Sequence, residues 1–178
     1  NCDPVEFLTH NSKPQMLQSG QFLIPRKIIL KSGLWNERLT LINDTEFYTR
    51  ILLNCNKMIF SEKGFLLYRV IPNSESVSQT FNKRTIKSAI ISVDLCTTYM
   101  LSHENSERVY KVLGLMYQMV IEWTFPKYPD LTYYLEQRYS TVHKRYWQPT
   151  KSGIIYNIML LFFGWKASRY IRYFLREK

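Results

Sequence analysis

The sequence predicts an α+β fold, with short mixed elements over residues 1–80 and a helical region over residues 81–178. Two short apolar runs, Lys57–Phe60 and Phe65–Ile71, are separated by turn residues and are typical of strands. Longer segments after Phe81 carry apolar residues at intervals of three and four, which is the helical period. Strand-like and helical patterns therefore occupy different parts of the chain.

Elements in the first part follow in a definite order. A short helix around Val5–Leu8 leads through a loop to a strand over Gln18–Ile24. Pro25 opens a helix over Arg26–Lys31, because proline is tolerated in a first helical turn. Gly33 ends that helix, and an aromatic and apolar stretch leads to the next one.

Two acids, Asp44 and Glu46, stand at the start of this next helix, ahead of apolar residues at helical spacing. Asn43 or Asp44 is a suitable N-cap, because a short side-chain acceptor satisfies the free N–H groups of the first turn. A carboxylate at a helix N-terminus also interacts with the positive end of the helix dipole and stays ionised. These residues therefore suit either a simple cap or a general base.

The second part contains three predicted helices, over Lys83–Ser102, Glu104–Phe125 and Leu131–His143. Their apolar stripes indicate helix packing rather than a ligand site. The strongly apolar run Ile154–Trp165 is shorter than the roughly 20 residues that span a bilayer.

Basic residues alternate with aromatic ones after that run. The bases are Lys166, Arg169, Arg172, Arg176 and Lys178. This alternation is typical of a helix that lies in a membrane interface, with its bases at the lipid headgroups. The alternative is a helix that docks on the preceding bundle and exposes a solvated basic face.

Composition limits the classes of partner and compartment. The net charge of +10 predicts an anionic partner, namely anionic lipid, nucleotide phosphates or nucleic acid. The three cysteines show no CxxC spacing and cannot all pair, which favours a reducing compartment. The three histidines are scattered, so spacing predicts no metal cluster.

One ordered set of residues resembles a known enzyme family. The set comprises Gly33, Trp35, Asn36, Glu37, Asn43, Asp44, Glu46 and Arg50. With its flanking segments, from about residue 15 to 80, it resembles the second half of the catalytic domain of family 2 glycosyltransferases. These are inverting nucleotide-sugar enzymes with the A-type α/β fold. The resemblance implies the acceptor-side half of such a domain over residues 1–80, followed by the helical region.

The resemblance also implies roles for charged residues. Asp44 would be the catalytic base, and Glu46 would orient the acceptor or the base. Arg69, and with it Arg50, would stabilise the leaving diphosphate by charge. Arg50 also suits an ion pair with an acid on its own helix.

Three further residues are candidates for substrate binding. Trp35 could stack on a sugar ring, although it could equally cover the core beside Leu34 and Leu39. The resemblance places Ser19 and Gln21 beside the acceptor pocket, while a turn and a strand edge explain them as well.

No Asp-x-Asp motif is present, and no initiator methionine begins the sequence. We therefore expect a fragment whose donor-binding half, with most of the Mg²⁺ or Mn²⁺ site, is missing and which is inactive alone. The implied partners are a nucleotide-sugar donor, a glycan or lipid-linked acceptor and an anionic membrane surface. The implied setting is polysaccharide biosynthesis in the cytoplasm or at the inner face of the membrane.

The aromatic-rich tail could also form a homo-oligomer. Nucleic acid is disfavoured as a partner because no nucleic-acid fold signature is present. The alternative function is a non-catalytic basic helical module that binds a membrane surface or nucleic acid.

Overall fold

The computed structural model describes residues 2–10, 14–15, 17–67, 81–142 and 154–176. These described residues form seven α-helices and one 3₁₀ turn. The helices are α1 (Pro4–Leu8), α2 (Arg26–Ser32), α3 (Asn43–Leu53), α4 (Lys83–His103), α5 (Glu107–Thr124), α6 (Pro129–Val142) and α7 (Ile154–Arg176). The 3₁₀ turn covers Ser19–Gln21.

This helical architecture overturns the predicted α+β fold, and with it the A-type α/β domain. The predicted strand Gln18–Ile24 is partly a 3₁₀ turn, and the predicted strand Lys57–Phe60 contributes only one isolated bridge. That bridge joins Cys2 and Met58, whose backbones exchange hydrogen bonds of 3.0 and 2.9 Å. A strand needs a neighbouring strand that pairs with its N–H and C=O groups. Among the described residues, this single bridge is the only such pairing.

The remaining strand prediction, Phe65–Ile71, is only partly covered by the structure. Residues 65–67 have no regular structure, and residues 68–71 lie outside the described part of the chain. Short apolar runs bounded by turns predicted strands here, but Phe60, Phe65 and Leu67 are each more than four-fifths exposed and pack in no sheet among the described residues.

The helices of the second part are confirmed close to their predicted limits, because their apolar period is a local property of the sequence. Helix α4 begins at a side-chain cap. The Asn82 side chain accepts hydrogen bonds from the backbone N–H groups of Arg84 and Thr85, at 2.9 and 3.0 Å. Such a cap typically stabilises a helix by about 1 kcal/mol.

The core lies between α3, α4, α5 and α6. Ile51 of α3, Val93 of α4, Tyr117 of α5 and Leu135 of α6 are all fully buried. The same cluster of buried residues extends to Val5 of α1. Each large apolar side chain buried in this way stabilises the folded state by about 1.5–3 kcal/mol. The packing of α3, α4, α5 and α6 therefore determines where the candidate site residues lie.

A polar network fastens α4, α5 and α6 to one another. The Asp94 carboxylate accepts hydrogen bonds from the hydroxyls of Tyr117 and Tyr134, at 2.6 and 2.7 Å. It also pairs with the Arg138 guanidinium at 3.0 Å. Burial and the neighbouring Asp94 raise the pKa of Tyr117, so this phenol stays protonated and donates to the carboxylate.

Helix α7 is broken at Gly164, whose φ of 71° and ψ of 170° are not helical. The break separates residues 154–163 from residues 165–176, here called the second part of α7. Among the helices in the described part of the chain, none has both the length and the apolar character required to cross a bilayer.

Candidate functional site

The turn that follows α2 is built on a glycine and held by an arginine. Gly33 has a φ of 91° and a ψ of 157°, a region that is essentially restricted to glycine. The Arg50 guanidinium donates to the carbonyl oxygens of Ser32, Gly33 and Leu34, the last two at 2.8 and 3.0 Å. Arg50 thereby satisfies carbonyl groups that the end of α2 leaves without helical partners.

Glu46 is the acidic partner of Arg50 and is buried between α3 and α4. Its carboxylate lies 2.8 Å from Arg50 Nε, and the side chains of Glu46 and Arg50 are 2% and 14% exposed. The Tyr99 hydroxyl of α4 donates to the same carboxylate at 3.2 Å. Both acid and base are therefore engaged inside the protein, in an ion pair that joins α2, α3 and α4.

Asp44 lies on a different side of α3. It is half-buried, and its Oδ1 accepts a hydrogen bond of 2.8 Å from the backbone N–H of Thr45. Among the described residues, no lysine, arginine or histidine forms a salt bridge with it. Burial raises the pKa of the Asp44 carboxyl, and hydrogen bonds from Thr45 and from its own N–H oppose that shift more weakly. Loss of solvent around the Asp44 carboxylate thus outweighs the hydrogen bonds that it accepts.

The backbone just before Asp44 is strained. Ile42, rather than the predicted Asn43 or Asp44, is the N-cap of α3, and it has a left-handed φ of 50° and ψ of 30°. A β-branched residue rarely adopts this conformation, which costs on the order of 1–3 kcal/mol. Asn43 Oδ1 accepts from the adjacent N–H of Asp44, at 3.0 Å, instead of capping the first turn from outside.

Two serines of α4 hold this strained turn in place. Ser88 Oγ accepts hydrogen bonds from the backbone N–H groups of Thr40 and Leu41, at 2.7 and 3.4 Å. Ser92 Oγ donates to the Leu41 carbonyl at 3.4 Å. The start of α3, and Asp44 with it, is therefore positioned by contacts with a helix that lies more than forty residues along the chain.

Trp35 belongs to an aromatic cluster on α3. Its ring lies 4.6 Å from Phe47 and 6.4 Å from Tyr48, measured between centroids. Phe22 stacks on the other side of Tyr48, at 4.7 Å. Asp44 and Phe47 are three residues apart and therefore neighbours on the helix surface. Half-buried Trp35 thus packs on a residue that neighbours Asp44 on the surface of α3.

The structure places Ser19 and Gln21 in the 3₁₀ turn, where Ser19 contacts α3 and Gln21 contacts the residue before the turn. The Ser19 carbonyl accepts a hydrogen bond of 3.2 Å from the Tyr48 hydroxyl. Gln21 Oε1 accepts one of 3.0 Å from the backbone N–H of Gln18. Arg69 lies outside the described part of the chain.

A small cleft of about 180 Å³ lies near the opposite end of α3. Its lining residues are Arg50, Leu53, Asn54, Tyr99, Ser102 and His103. Asp44 precedes Leu53 by nine residues, roughly 13 Å along a helix that rises 1.5 Å per residue. The cleft and the Asp44 carboxylate are therefore separate features.

Within the described residues, no group of three or more His, Cys, Asp or Glu side chains could hold a metal ion. Asp44 and Glu46 do not converge, because Glu46 is turned inward to Arg50 and Tyr99. Asp44 and Glu46 therefore do not form a shared pair of metal ligands.

Comparison with known proteins gives no match: no family model matches the chain, and no curated protein or solved structure matches it.

Proposed function

We propose that the chain supplies the acceptor side of an inverting sugar transferase, with Asp44 as its general base. In this reaction the Asp44 carboxylate removes the proton of an acceptor hydroxyl. The hydroxyl oxygen attacks the anomeric carbon of a nucleotide-sugar, the bond from that carbon to the diphosphate breaks, and the nucleoside diphosphate leaves. The new bond forms on the face opposite the leaving group, which inverts the configuration.

The observation that carries this proposal is the state of Asp44. It is a half-buried carboxylate without an ion-pair partner among the described residues, and burial raises its pKa. A general base is more effective when its pKa lies closer to the working pH, so partial desolvation favours this role. A carboxylate that served only as a surface cap would gain nothing from the strained Ile42 turn that precedes it.

The other acids of the same run are less suited to this task. Glu46 is buried and held by Arg50 and Tyr99, so it supports the site by fixing α3 against α2 and α4. Glu37 is exposed on the turn before α3. Asp44 is therefore the acid of this run that is partly buried and forms no salt bridge among the described residues.

Trp35 is the residue of this region best placed to contact a sugar. An indole ring can stack on the apolar face of a pyranose while its N–H finds a polar partner. Its packing on Phe47 holds the ring against a residue that neighbours Asp44 on α3. The donor nucleotide and its divalent metal are, in this proposal, bound by polypeptide outside the described residues.

The test is sugar transfer by the full-length native protein carrying Asp44→Asn. We expect the rate to fall by roughly 10²–10⁴-fold, the usual contribution of a general base, while the melting temperature stays within a few degrees. The matched control is Asp130→Asn, the same change at an exposed aspartate of α6 that pairs with Lys83. Transfer at the wild-type rate by the Asp44→Asn protein would exclude Asp44 as the base.

A further inference from the structure

The second part of α7 presents an apolar face to solvent. Ile171, Phe174 and Leu175 occur at helical spacing and are all exposed, with Phe174 at 61% and Leu175 at 73%. Positions separated by three or four residues share one side of a helix. Tyr170 lies at the edge of this face, because its ring also packs on Phe125 at 4.9 Å. The outward side of this helix is therefore the apolar one, the reverse of the usual arrangement in a water-soluble bundle.

The opposite side of the same helix is attached to the bundle. Ser168 is fully buried, and Trp165 lies 5.3 Å from the ring of Phe125. Lys166 Nζ lies 2.8 Å from a carboxylate oxygen of Glu136, and the Arg169 guanidinium donates to the carbonyl of Glu122. These contacts determine which side of the helix faces outward.

Exposed apolar residues continue ahead of the break at Gly164. Phe162 and Phe163 are exposed by more than half, and Ile158 by about half. Exposed apolar helix surface usually marks a contact with another molecule or with a membrane.

Positive charge is concentrated in the same region of the sequence. Residues 143–178 contain eight lysines and arginines and one glutamate, so they carry seven of the ten net positive charges. Residues 154–176 contain four arginines and lysines and no acid. An exposed apolar helix face within a strongly basic stretch of sequence matches the two layers of an anionic bilayer surface, the headgroups and the upper acyl chains.

We propose that α7 binds the surface of an anionic phospholipid membrane, with the face formed by Ile171, Phe174 and Leu175 in the interface. The helix lies along the surface and does not cross the bilayer. The bound membrane would hold the bundle at the lipid surface. This inference does not depend on the proposed sugar transfer, and its test contains no catalytic readout.

Charge and apolar exposure together favour lipid over the two other candidate occupants. A second copy of this chain would carry the same excess of bases, so a face-to-face pair would bring like charges together. Single-stranded nucleic acid would explain the charge and the aromatic rings, but it offers no apolar layer for Ile171 and Leu175.

The experiment is co-sedimentation of the full-length native protein with vesicles of phosphatidylcholine, with and without phosphatidylglycerol. We expect binding to the anionic vesicles that weakens as salt is added. Phe174→Ser combined with Leu175→Ser should weaken that binding at least about tenfold, because two apolar side chains then stay in water. The matched control is Phe60→Ser with Leu67→Ser, an equally exposed pair elsewhere, which should bind as the wild type does.

A second pair of variants tests the charge. Arg172→Gln with Arg176→Gln should weaken binding by about fivefold for each charge removed, since each base near an anionic surface contributes roughly 1 kcal/mol. Arg26→Gln with Lys27→Gln on α2 removes the same charge elsewhere and should change binding much less.

The inference would be overturned if the protein did not bind anionic vesicles. It would also be overturned if vesicle binding fell equally in a test pair and its control pair, for the serine or for the glutamine variants. A wild-type dimer that the Phe174→Ser, Leu175→Ser protein cannot form would overturn it as well. Binding of an oligonucleotide without binding of anionic vesicles would also overturn it and would identify nucleic acid as the ligand. Circular dichroism melting shows that each variant is folded before its binding is compared.

Discussion

Replacing Arg50 with methionine removes one partner of the buried pair with Glu46 and all three contacts with the end of α2. Methionine keeps most of the side-chain length, so little packing volume is lost. Breaking a buried ion pair by removing one partner costs about 3–5 kcal/mol, because the other charge stays buried without compensation. We therefore expect Arg50→Met to lower the free energy of unfolding by about 3–5 kcal/mol.

The assay is urea denaturation followed by circular dichroism. With a slope of about 2 kcal/mol per molar urea, the midpoint should fall by roughly 1.5–2.5 M. The control is Arg108→Met, because Arg108 forms the same i,i+4 pair with Glu104 at 2.6 Å, where both side chains are much more exposed. An exposed pair contributes at most about 1 kcal/mol, so the control midpoint should move by no more than about 0.5 M.

Equal, small shifts of the urea midpoint for Arg50→Met and Arg108→Met would show that Arg50 does not fasten α2 to α3. Arg50 would then be available for another role, such as the contact with a diphosphate that its position in the sequence also suits.

Three further predictions concern stability and reactivity. Ser88→Ala should lower the free energy of unfolding by about 1–3 kcal/mol, because it leaves two backbone N–H groups of the turn before Asp44 without an acceptor. The control Ser102→Ala, at an exposed site of the same helix, should change the free energy of unfolding by less than about 0.5 kcal/mol. Equal effects of the two substitutions in thermal melts would contradict this prediction. Gly33→Ala should destabilise by about 1–3 kcal/mol in urea, since alanine is strained at a φ of 91°; an unchanged midpoint would contradict it. Burial raises the pKa of the Cys96 thiol to about 12, so Cys96 should react with a thiol reagent at neutral pH only after unfolding, and rapid labelling of the native protein would contradict its burial.

The same pKa of Cys96 predicts a pH dependence. In the unfolded chain this thiol ionises near its ordinary pKa of about 8.5, whereas in the folded protein it stays protonated up to about pH 12. The contribution of the thiol to stability is therefore complete below about pH 8.5 and is lost progressively as the pH rises towards 12. Cys96→Ala should flatten this part of the stability curve, and identical slopes for wild type and variant would contradict the assignment.

Local patterns were sufficient for most helices. The stripes of α4 and α5 and the glycine at the end of α2 are properties of nearby residues, so the sequence alone predicted them. The strands were wrong for the opposite reason. A strand depends on a partner elsewhere, and a short apolar run carries no information about whether that partner exists.

The details of the candidate site depend on contacts between distant parts of the chain. Tyr99 contacts Glu46 from 53 residues away, and Ser88 holds the turn at Leu41 from 47 residues away. The left-handed conformation of Ile42 contradicts its intrinsic preference and persists because those tertiary contacts require it. The sequence alone identified Asp44, Glu46 and Arg50 as candidate site residues. The structure shows that Glu46 and Arg50 form an ion pair with each other.

The orientation of α7 was likewise beyond the sequence pattern. Bases and aromatics alternate around the whole helix, so the pattern fits a docked helix and a membrane helix equally well. The contacts of Trp165, Ser168 and Arg169 with the bundle decide that Phe174 and Leu175 face outward.

The most direct test of the proposed function is a transfer assay with the full-length native protein, Mn²⁺ and a panel of labelled UDP-, GDP- and dTDP-sugars. We expect release of the nucleoside diphosphate and formation of a glycoside whose anomeric configuration, measured by NMR, is opposite to that of the donor. Retention of the donor configuration, or no release of nucleoside diphosphate from any donor, would contradict it.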